Sequence, residues 1–140
     1  ILDPAPANDY CLDYLSYVDL LTPNEGELSL LSGKNDIKTS CEFILNKGVK
    51  ELVVTLGEDG YLYYSKDRTF KGNTRKVKVL DSTGAGDTFT GALGVQLASG
   101  RNINEAMEFA VYAATLSVTR MGAQTSIPTR GEVIRFMSKS

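Results

Sequence analysis

The 140-residue sequence has a hydrophobic fraction of 42% and a charged fraction of 23%, the proportions of an ordinary soluble globular domain. A net charge of −2 favours neither a nucleic acid nor a membrane as partner, and no apolar run is long enough to cross a bilayer. Because two cysteines are too few for a disulfide framework, we expect a cytoplasmic protein. The absence of histidine excludes imidazole catalysis by this chain.

The first half of the chain alternates short helices and strands. In chain order the predicted elements are a helix over residues 10–17, a strand over 18–22, helices over 25–31 and 36–46, and strands over 51–56 and 61–65. The strand at 51–56 has a continuous apolar centre, typical of a parallel strand covered on both faces. Glycines at 57 and 60 predict a tight turn into an aromatic hairpin partner.

The second half predicts a strand end and three helices. The alternating run at 77–80 indicates a strand, and a helix follows over 88–98. We expect Asn104 to cap a helix over 105–119 with one small-residue face, and Thr129 to cap a terminal helix. This order of strands and helices indicates an α/β protein with a mainly parallel, helix-covered sheet in one unit.

The turn between the strand at 77–80 and the next helix is the strongest candidate site. Gly84 and Gly86 let backbone N–H groups converge there, and the helix dipole adds partial positive charge, so the turn can bind phosphate. Asp87 at its edge could take the proton from an alcohol that attacks the phosphate. The alternative is a glycine turn that serves only helix packing.

Three loops follow predicted strands, at residues 23–27, 57–60 and 83–87, so we expect all three on one rim of the sheet. Alternatives remain for the first two loops. Asn24 can be a helix cap, Glu27 can complement the helix dipole, and the glycines at 57–60 can form a plain hairpin turn. The chain contains neither a GxxxxGK[ST] nor a GxGxxG loop, which weakens P-loop and dinucleotide interpretations.

Together the blocks resemble the carboxyl-terminal half of the ribokinase-like (PfkB-type) carbohydrate kinases. Five blocks match in order: DPAPA at 3–7, TPNEGE at 22–27, TLGEDG at 55–60, DSTGAGD at 81–87 and GAQTSIP at 122–128. The resemblance covers essentially the whole chain. It implies a three-layer αβα, Rossmann-like fold and transfer of the ATP γ-phosphate to the primary hydroxyl of a pentose, with the first and last blocks favouring D-ribose.

The resemblance also implies roles for individual residues. Asp87 would be the general base and a sugar contact, with an anion hole at Gly84, Ala85 and Gly86. Nucleotide contacts would come from Asn24, Thr55, Leu56, Gly57, Glu58, Asp59, Gly60, Gly86, Asp87 and Val111. Magnesium would be reached through water by Asn24 and Glu27. A monovalent cation, usually potassium, would be held near Asp81, Thr83, Ser117, Arg120, Gly122 and Ser126.

Two departures from the family pattern limit these expectations. Val111 stands where relatives often carry a polar residue near the adenine. The amino-terminal half that supplies most sugar contacts and a β-sheet lid in relatives is not in the chain, so we expect a catalytic portion that is nearly inactive alone. The full-length enzyme would be a homodimer. The alternatives are a nucleotide-binding fragment without catalysis, or a related kinase for another sugar or a nucleoside.

Overall fold

A computed structural model describes residues 1–139, which divide into two compact units, Ile1–Gly72 and a second unit that begins at Asn73. The prediction that the whole chain belongs to one kinase domain stays a prediction. Within these residues, every helix falls short of the length and apolar character that a bilayer crossing requires.

The first unit contains three helices and four strands. The helices are α1 at Tyr10–Tyr14, α2 at Glu25–Ser32 and α3 at Ile37–Asn46, with 3-10 turns at Leu15–Tyr17 and Gly57–Asp59. The strands are β1 at Leu20–Leu21, β2 at Glu51–Thr55, β3 at Tyr61–Ser65 and β4 at Thr69–Gly72. All the elements predicted for this half are confirmed, and β4 is additional.

The strands form a mixed sheet in the order β1-β2-β3-β4. β1 runs parallel to β2, with Leu21 opposite Leu52, whereas β3 is antiparallel to both of its neighbours. The sheet in this unit is therefore mixed rather than mainly parallel. The reason is the tight turn after β2, because a short hairpin connection forces the next strand to run in the opposite direction.

The hydrophobic core of the first unit packs helices α2 and α3 against strands β1 and β2. Leu21 and Leu52 are fully buried between the strands and the helices, and Leu28 of α2 and Ile44 of α3 pack against them with at most 1% exposure. Each such side chain contributes about 1.5–3 kcal/mol of burial free energy. The carboxyl ends of β1 and β2 therefore present their loops from a rigid base.

The second unit is helical in its described residues, with α4 at Ala85–Ala98, α5 at Ile103–Ser117, a 3-10 turn at Gln124–Ser126 and α6 at Arg130–Met137. Its α4 begins at Ala85 rather than residue 88. The prediction that Asn104 caps α5 is wrong, because the Asn102 Oδ1 accepts the Glu105 N–H at 3.0 Å and starts the helix earlier. Of the predicted small-residue face of α5, Ala106, Ala110, Ala113 and Ser117 are buried, and α5 packs against α4.

The strand predicted at 77–80 is wrong. This run has no regular secondary structure, and no strand lies beside it among the described residues of the second unit. The Leu80 N–H instead donates to the Val118 carbonyl at 2.8 Å, and Val79 and Leu80 are 57% and 54% exposed. A strand is defined by its hydrogen-bonded partner, and alternating residues alone do not supply one.

Candidate functional site

The glycine turn begins at Gly84, which is the N-cap of α4 and has a left-handed φ of 74°. Its carbonyl accepts both the N–H and the hydroxyl of Thr88, at 2.9 and 2.8 Å, and so closes the first helical turn. Thr88 and Phe89 are buried at 6% and 2% exposure and anchor the start of α4. The turn is therefore held from beneath while its outer side faces solvent.

The outer side of the turn carries unengaged backbone donors. Of the predicted anion-hole residues, Ala85 donates its N–H to the Ser82 carbonyl at 3.2 Å. The N–H groups of Gly84 and Gly86 find no backbone acceptor within residues 1–139. Helix N-termini leave such donors free, and the dipole makes them electropositive, so this turn can bind an anion.

Asp87 lies in the first turn of α4 beside these donors. Its side chain is exposed and makes no hydrogen bond or ion pair with any other residue that the structure describes. A carboxylate there is stabilised by the helix dipole and is available to accept a proton from a bound molecule. The structure thus places the predicted acid and the predicted anion donors on the same helical turn.

Asp81 ties this turn to the loop that follows α5. Its Oδ1 accepts the N–H and the hydroxyl of Thr83 at 3.0 and 2.7 Å, and its Oδ2 accepts the Gly122 N–H at 2.9 Å. The Thr83 hydroxyl, then the Thr83 and Gly122 N–H groups, lower the pKa of the Asp81 carboxyl. Asp81 therefore stays ionised and links both segments directly.

The other predicted cation residues lie on or beside the loop after α5. The hydroxyls of Ser117 and Ser126 are 1% exposed and donate to the carbonyls of Ala114 and Ala123, at 2.8 and 2.7 Å. Their oxygens keep lone pairs for a cation. The Arg120 N–H donates to the Ser117 carbonyl at 3.0 Å, and its guanidinium is engaged elsewhere, so only its carbonyl could act as a ligand.

Carboxylate, carbonyl and hydroxyl oxygens are ligands that suit a hard cation. Among residues 1–139, no group of three or more acidic, cysteine or histidine side chains is placed to hold a metal. A cation at the loop after α5 would therefore depend on backbone and hydroxyl oxygens around the single carboxylate of Asp81.

Glu132 is a residue of this region that the sequence did not single out. Its Oε1 accepts the Arg120 Nη2 at 2.7 Å, and its Oε2 accepts the N–H and hydroxyl of Thr129 at 2.7 and 2.9 Å. These hydrogen bonds, led by that from Arg120, lower the pKa of Glu132 to about 2. The spacing Thr129-x-x-Glu132 is a capping-box signature, which could have predicted its place at a helix start.

In the first unit, Asn24 and Glu27 form a capping box at the start of α2. The Asn24 Oδ1 accepts the Glu27 N–H, and the Glu27 Oε2 accepts the Asn24 N–H, both at 2.8 Å. The helix-cap interpretation of Asn24 is thus confirmed. The second carboxylate oxygen of Glu27 is left for water or a ligand, so the capping role leaves the magnesium prediction open.

The two rim loops of the first unit lie side by side. Asn24 and Thr55 form a parallel bridge, and the Thr55 N–H donates to the Pro23 carbonyl at 2.9 Å. The loop after Thr55 is closed by the Leu56 N–H, which donates to the Gly60 carbonyl at 2.9 Å. Gly60 has φ 86° and ψ −118°, a conformation open essentially to glycine alone.

Other predicted nucleotide contacts differ in exposure. Gly57, Glu58 and Asp59 are exposed, which suits loop contacts with a ligand. Val111 is only 5% exposed within α5 of the second unit. The third rim loop, at 83–87, also belongs to the second unit, so its convergence with the other two stays a prediction.

Comparison with known proteins identifies relatives along nearly the whole chain. A family model described as pfkB family carbohydrate kinase matches residues 1–130. A ribokinase of Haemophilus influenzae is 38% identical over 145 residues, which cover 98% of this chain and 46% of the relative. The chain thus spans about half the length of the curated relatives it matches.

Solved structures give the same result for the fold. A ribokinase of Thermotoga maritima superposes with a TM-score of 0.93 at 44% identity, over 97% of this chain and 48% of that structure. The ribokinase of Arabidopsis thaliana, solved with ribose and ATP, superposes with a TM-score of 0.85 at 34% identity, over 92% and 44%. These superpositions confirm the predicted ribokinase-like αβα fold class.

Proposed function

The chain belongs to the pfkB family of carbohydrate kinases, and on this basis we propose that it is the catalytic and nucleotide-binding part of an ATP-dependent sugar kinase. The substrate we propose is D-ribose, which would be phosphorylated on its primary hydroxyl to ribose 5-phosphate. The ribokinase relatives, one of them solved with ribose and ATP, support this choice of nucleotide and sugar.

The observation that carries the proposal is the start of α4. An exposed carboxylate, Asp87, lies in the same helical turn as the unengaged N–H groups of Gly84 and Gly86. Proton acceptance and stabilisation of phosphoryl charge are the two tasks that phosphoryl transfer to an alcohol sets a protein.

In the proposed reaction, an Asp87 carboxylate oxygen takes the proton of the primary hydroxyl. That hydroxyl oxygen forms a bond to the γ-phosphorus, and the bond between this phosphorus and the bridging oxygen to the β-phosphate breaks. The electron pair of that bond leaves with ADP. The N–H donors at Gly84, Ala85 and Gly86 would bind the equatorial oxygens, where charge accumulates during transfer. The Ala85 N–H would first exchange its Ser82 acceptor.

Two ions belong to the proposal. Magnesium, bound with ATP, supplies charge neutralisation of the phosphates, and Asn24 and Glu27 would hold it through water. Potassium, bound near Asp81, Thr83, Gly122 and Ser126 with the carbonyls of Ser117 and Arg120, would order the turn from behind. The charged state of Asp81 and its direct bonds to Thr83 and Gly122 support this placement.

The nucleotide would lie along the loop at 55–60 and near Val111. The adjacency of Asn24 and Thr55 supports a common surface for the phosphates and the magnesium. We propose a homodimeric full-length enzyme from the family resemblance alone, and a cytoplasmic location because two cysteines are too few for a disulfide framework.

The test is a sugar panel with direct product identification. The protein that carries this chain is incubated with ATP, magnesium and D-ribose, 2-deoxyribose, fructose or adenosine, and phosphorus NMR identifies the phosphorylated position. We expect the highest kcat/KM for ribose and a 5-phosphate product. A preference of more than about tenfold, or 1.4 kcal/mol, for another substrate would contradict the ribose assignment.

A second candidate is nucleotide binding without catalysis by these 140 residues alone. It is favoured by the chain length, since the chain covers only 46–48% of its first relatives. Calorimetry with ATP and magnesium, followed by the kinase assay on the same sample, separates the two. Binding without turnover by the chain, together with turnover by a longer protein that carries it, would support this candidate for the isolated chain.

A further inference from the structure

Two carboxylates, Glu132 in helix α6 and Asp81 beside the phosphate turn, each hold one end of the segment Arg120–Gly122. At one end, the Glu132 carboxylate holds Thr129 with one oxygen and the Arg120 guanidinium with the other. At the other end, Asp81 holds Gly122 with one oxygen and Thr83 with the other. Arg120 and Gly122 are separated by one residue, so the two carboxylates act on opposite ends of the same short segment.

We infer that Glu132, through its ion pair with Arg120, is a positioning residue for the phosphate turn. The effect on kcat rests on the proposed function, whereas the effect on the mobility of the Gly122 backbone rests on the structure alone. Within the segment, the Arg120 N–H donates to the Ser117 carbonyl at 3.0 Å and the Met121 carbonyl accepts the Thr125 hydroxyl at 3.2 Å, whereas the Met121 side chain is 68% exposed and adds little packing. The ion pair supplies a second anchor at the Arg120 end of the segment, whereas Asp81 holds its Gly122 end.

The ion pair between Arg120 and Glu132 is partly shielded from water, and its carboxylate is held in place. The Arg120 and Glu132 side chains are each about one-third exposed, at 33% and 32%, so water competes only in part for their contact. Glu132 is itself immobilised by the two hydrogen bonds from Thr129 at the start of α6. A fixed carboxylate holding one guanidinium nitrogen at 2.7 Å restrains the backbone from which Arg120 projects.

The restraint reaches the turn through close packing. Gly122 has a left-handed φ of 91°, and a Cβ there would collide with the Thr125 hydroxyl, so this position of the loop is closely packed and suits glycine. On the other side, the Ala123 Cα lies 3.5 Å from the position that a Cβ on Gly84 would occupy. A shift of the loop would therefore displace both the Gly122 bond to Asp81 and the surface against which Gly84 rests.

The expected consequence is a loss in turnover larger than the loss in substrate binding. The turn binds the transferring phosphoryl group most tightly in the transition state, so misplaced donors lower kcat more than they raise KM. Removal of an outer partner that orients a metal ligand costs roughly 10- to 100-fold in affinity or activity, and we expect a loss of similar size here. A substitution of Arg120 that keeps the positive charge and a similar side-chain length should restore most of the lost kcat.

The test compares Arg120→Met with Arg120→Lys, which keeps the charge, and with Val133→Ala as a control. Val133 is 1% exposed in α6, so its truncation weakens the helix packing without touching the Glu132 carboxylate. Exchange of the Gly122 amide proton is followed by NMR in the protein that carries this chain, alongside kcat and KM for ATP and ribose. Glu132→Gln is a second variant should Arg120→Met fold poorly.

We expect Gly122 exchange to rise by about tenfold or more in Arg120→Met, to return towards wild type in Arg120→Lys and to stay unchanged in Val133→Ala. The kcat should fall roughly 10- to 100-fold in Arg120→Met, fall in the same direction in Glu132→Gln, and stay near the wild-type value in Arg120→Lys and Val133→Ala. Unchanged Gly122 exchange in Arg120→Met, or an equal rise in Val133→Ala, would overturn the inference. A wild-type protein without kinase activity would contradict the proposed function, and Gly122 exchange would then decide the inference alone.

Discussion

Two alanine substitutions, one at the N-cap of helix α4 and one inside the helix, are expected to change stability in opposite directions. Gly84 has φ 74° and ψ 11°, and an added Cβ would meet the Ala123 Cα at 3.5 Å, an ordinary contact. The cost of Gly84→Ala is therefore conformational, about 1–2 kcal/mol for a left-handed alanine. The reduced entropy of the unfolded chain returns about 0.4–1 kcal/mol of this. We expect a net loss of about 1 kcal/mol.

Gly91 provides the matched variant. It lies in the interior of the same helix, and an added Cβ would meet nothing within 4 Å. Gly91→Ala should therefore raise the free energy of unfolding by about 0.5–1 kcal/mol, through helix propensity. The two variants should differ by about 1.5–2 kcal/mol in urea titrations followed by circular dichroism.

The signs decide the test. A Gly84→Ala protein as stable as wild type would show that residue 84 does not adopt the left-handed conformation. A loss in Gly91→Ala equal to that in Gly84→Ala would show that the volume of the methyl group, and not the backbone conformation, determines the effect. Either result would remove the physical basis for the N-terminal geometry of the phosphate turn.

Two further predictions concern the first unit. Burial raises the pKa of the Cys41 thiol to about 12, so a thiol reagent should label only the partly exposed Cys11 in the folded protein. Because the unfolded thiol ionises near pH 9, the contribution of Cys41 to stability should be complete below pH 9 and fall by up to about 1.4 kcal/mol per pH unit towards pH 12. Labelling of both thiols at equal rates would contradict this burial. Asn24→Ala should destabilise the protein by about 1 kcal/mol and Asn24→Ser by only a few tenths, since serine can still cap α2. Both should weaken ATP binding in calorimetry if Asn24 also acts on magnesium, and unchanged affinity would leave it a helix cap only.

Most elements of the first unit could be predicted because each is specified by a local sequence pattern. The apolar run of β2, the glycine turn after it and the Asn24 cap each specify their element without help from distant residues. β4, at Thr69–Gly72, has no such pattern. It is stabilised by contacts with β3: Phe70 stacks on Tyr63, and the Tyr61 ring packs against Gly72, which has no Cβ to obstruct it.

The errors in the second unit have similar causes. The run at 77–80 has the alternation of a strand, but pairing depends on a partner that local sequence does not encode. The start of α5 could have been found, since Asn102 stands three residues before Glu105, the same spacing as Asn24 to Glu27. This signal was available in the sequence, and it places the cap two residues before Asn104.

In the candidate site, too, some residues could be identified from local sequence and others could not. Asp87 and the glycine turn could be identified from sequence because a helix start, small residues and an acid lie within a few positions of each other. The contribution of Glu132 could not, because its contact with Arg120 spans twelve residues and depends on how α6 lies beside the loop. Residues that act through another residue leave little trace in local pattern.

The most direct measurement of the central claim is the turnover of Asp87→Asn in the protein that carries this chain. The substitution keeps size and removes the proton acceptor, and the exposed side chain has no partner within residues 1–139 to lose. We predict a fall in kcat of roughly 10²- to 10⁴-fold with ATP and ribose. Affinity for ATP should stay nearly unchanged, and stability should fall by at most about 1 kcal/mol. Turnover close to that of the wild type would contradict the assignment of Asp87 as the base.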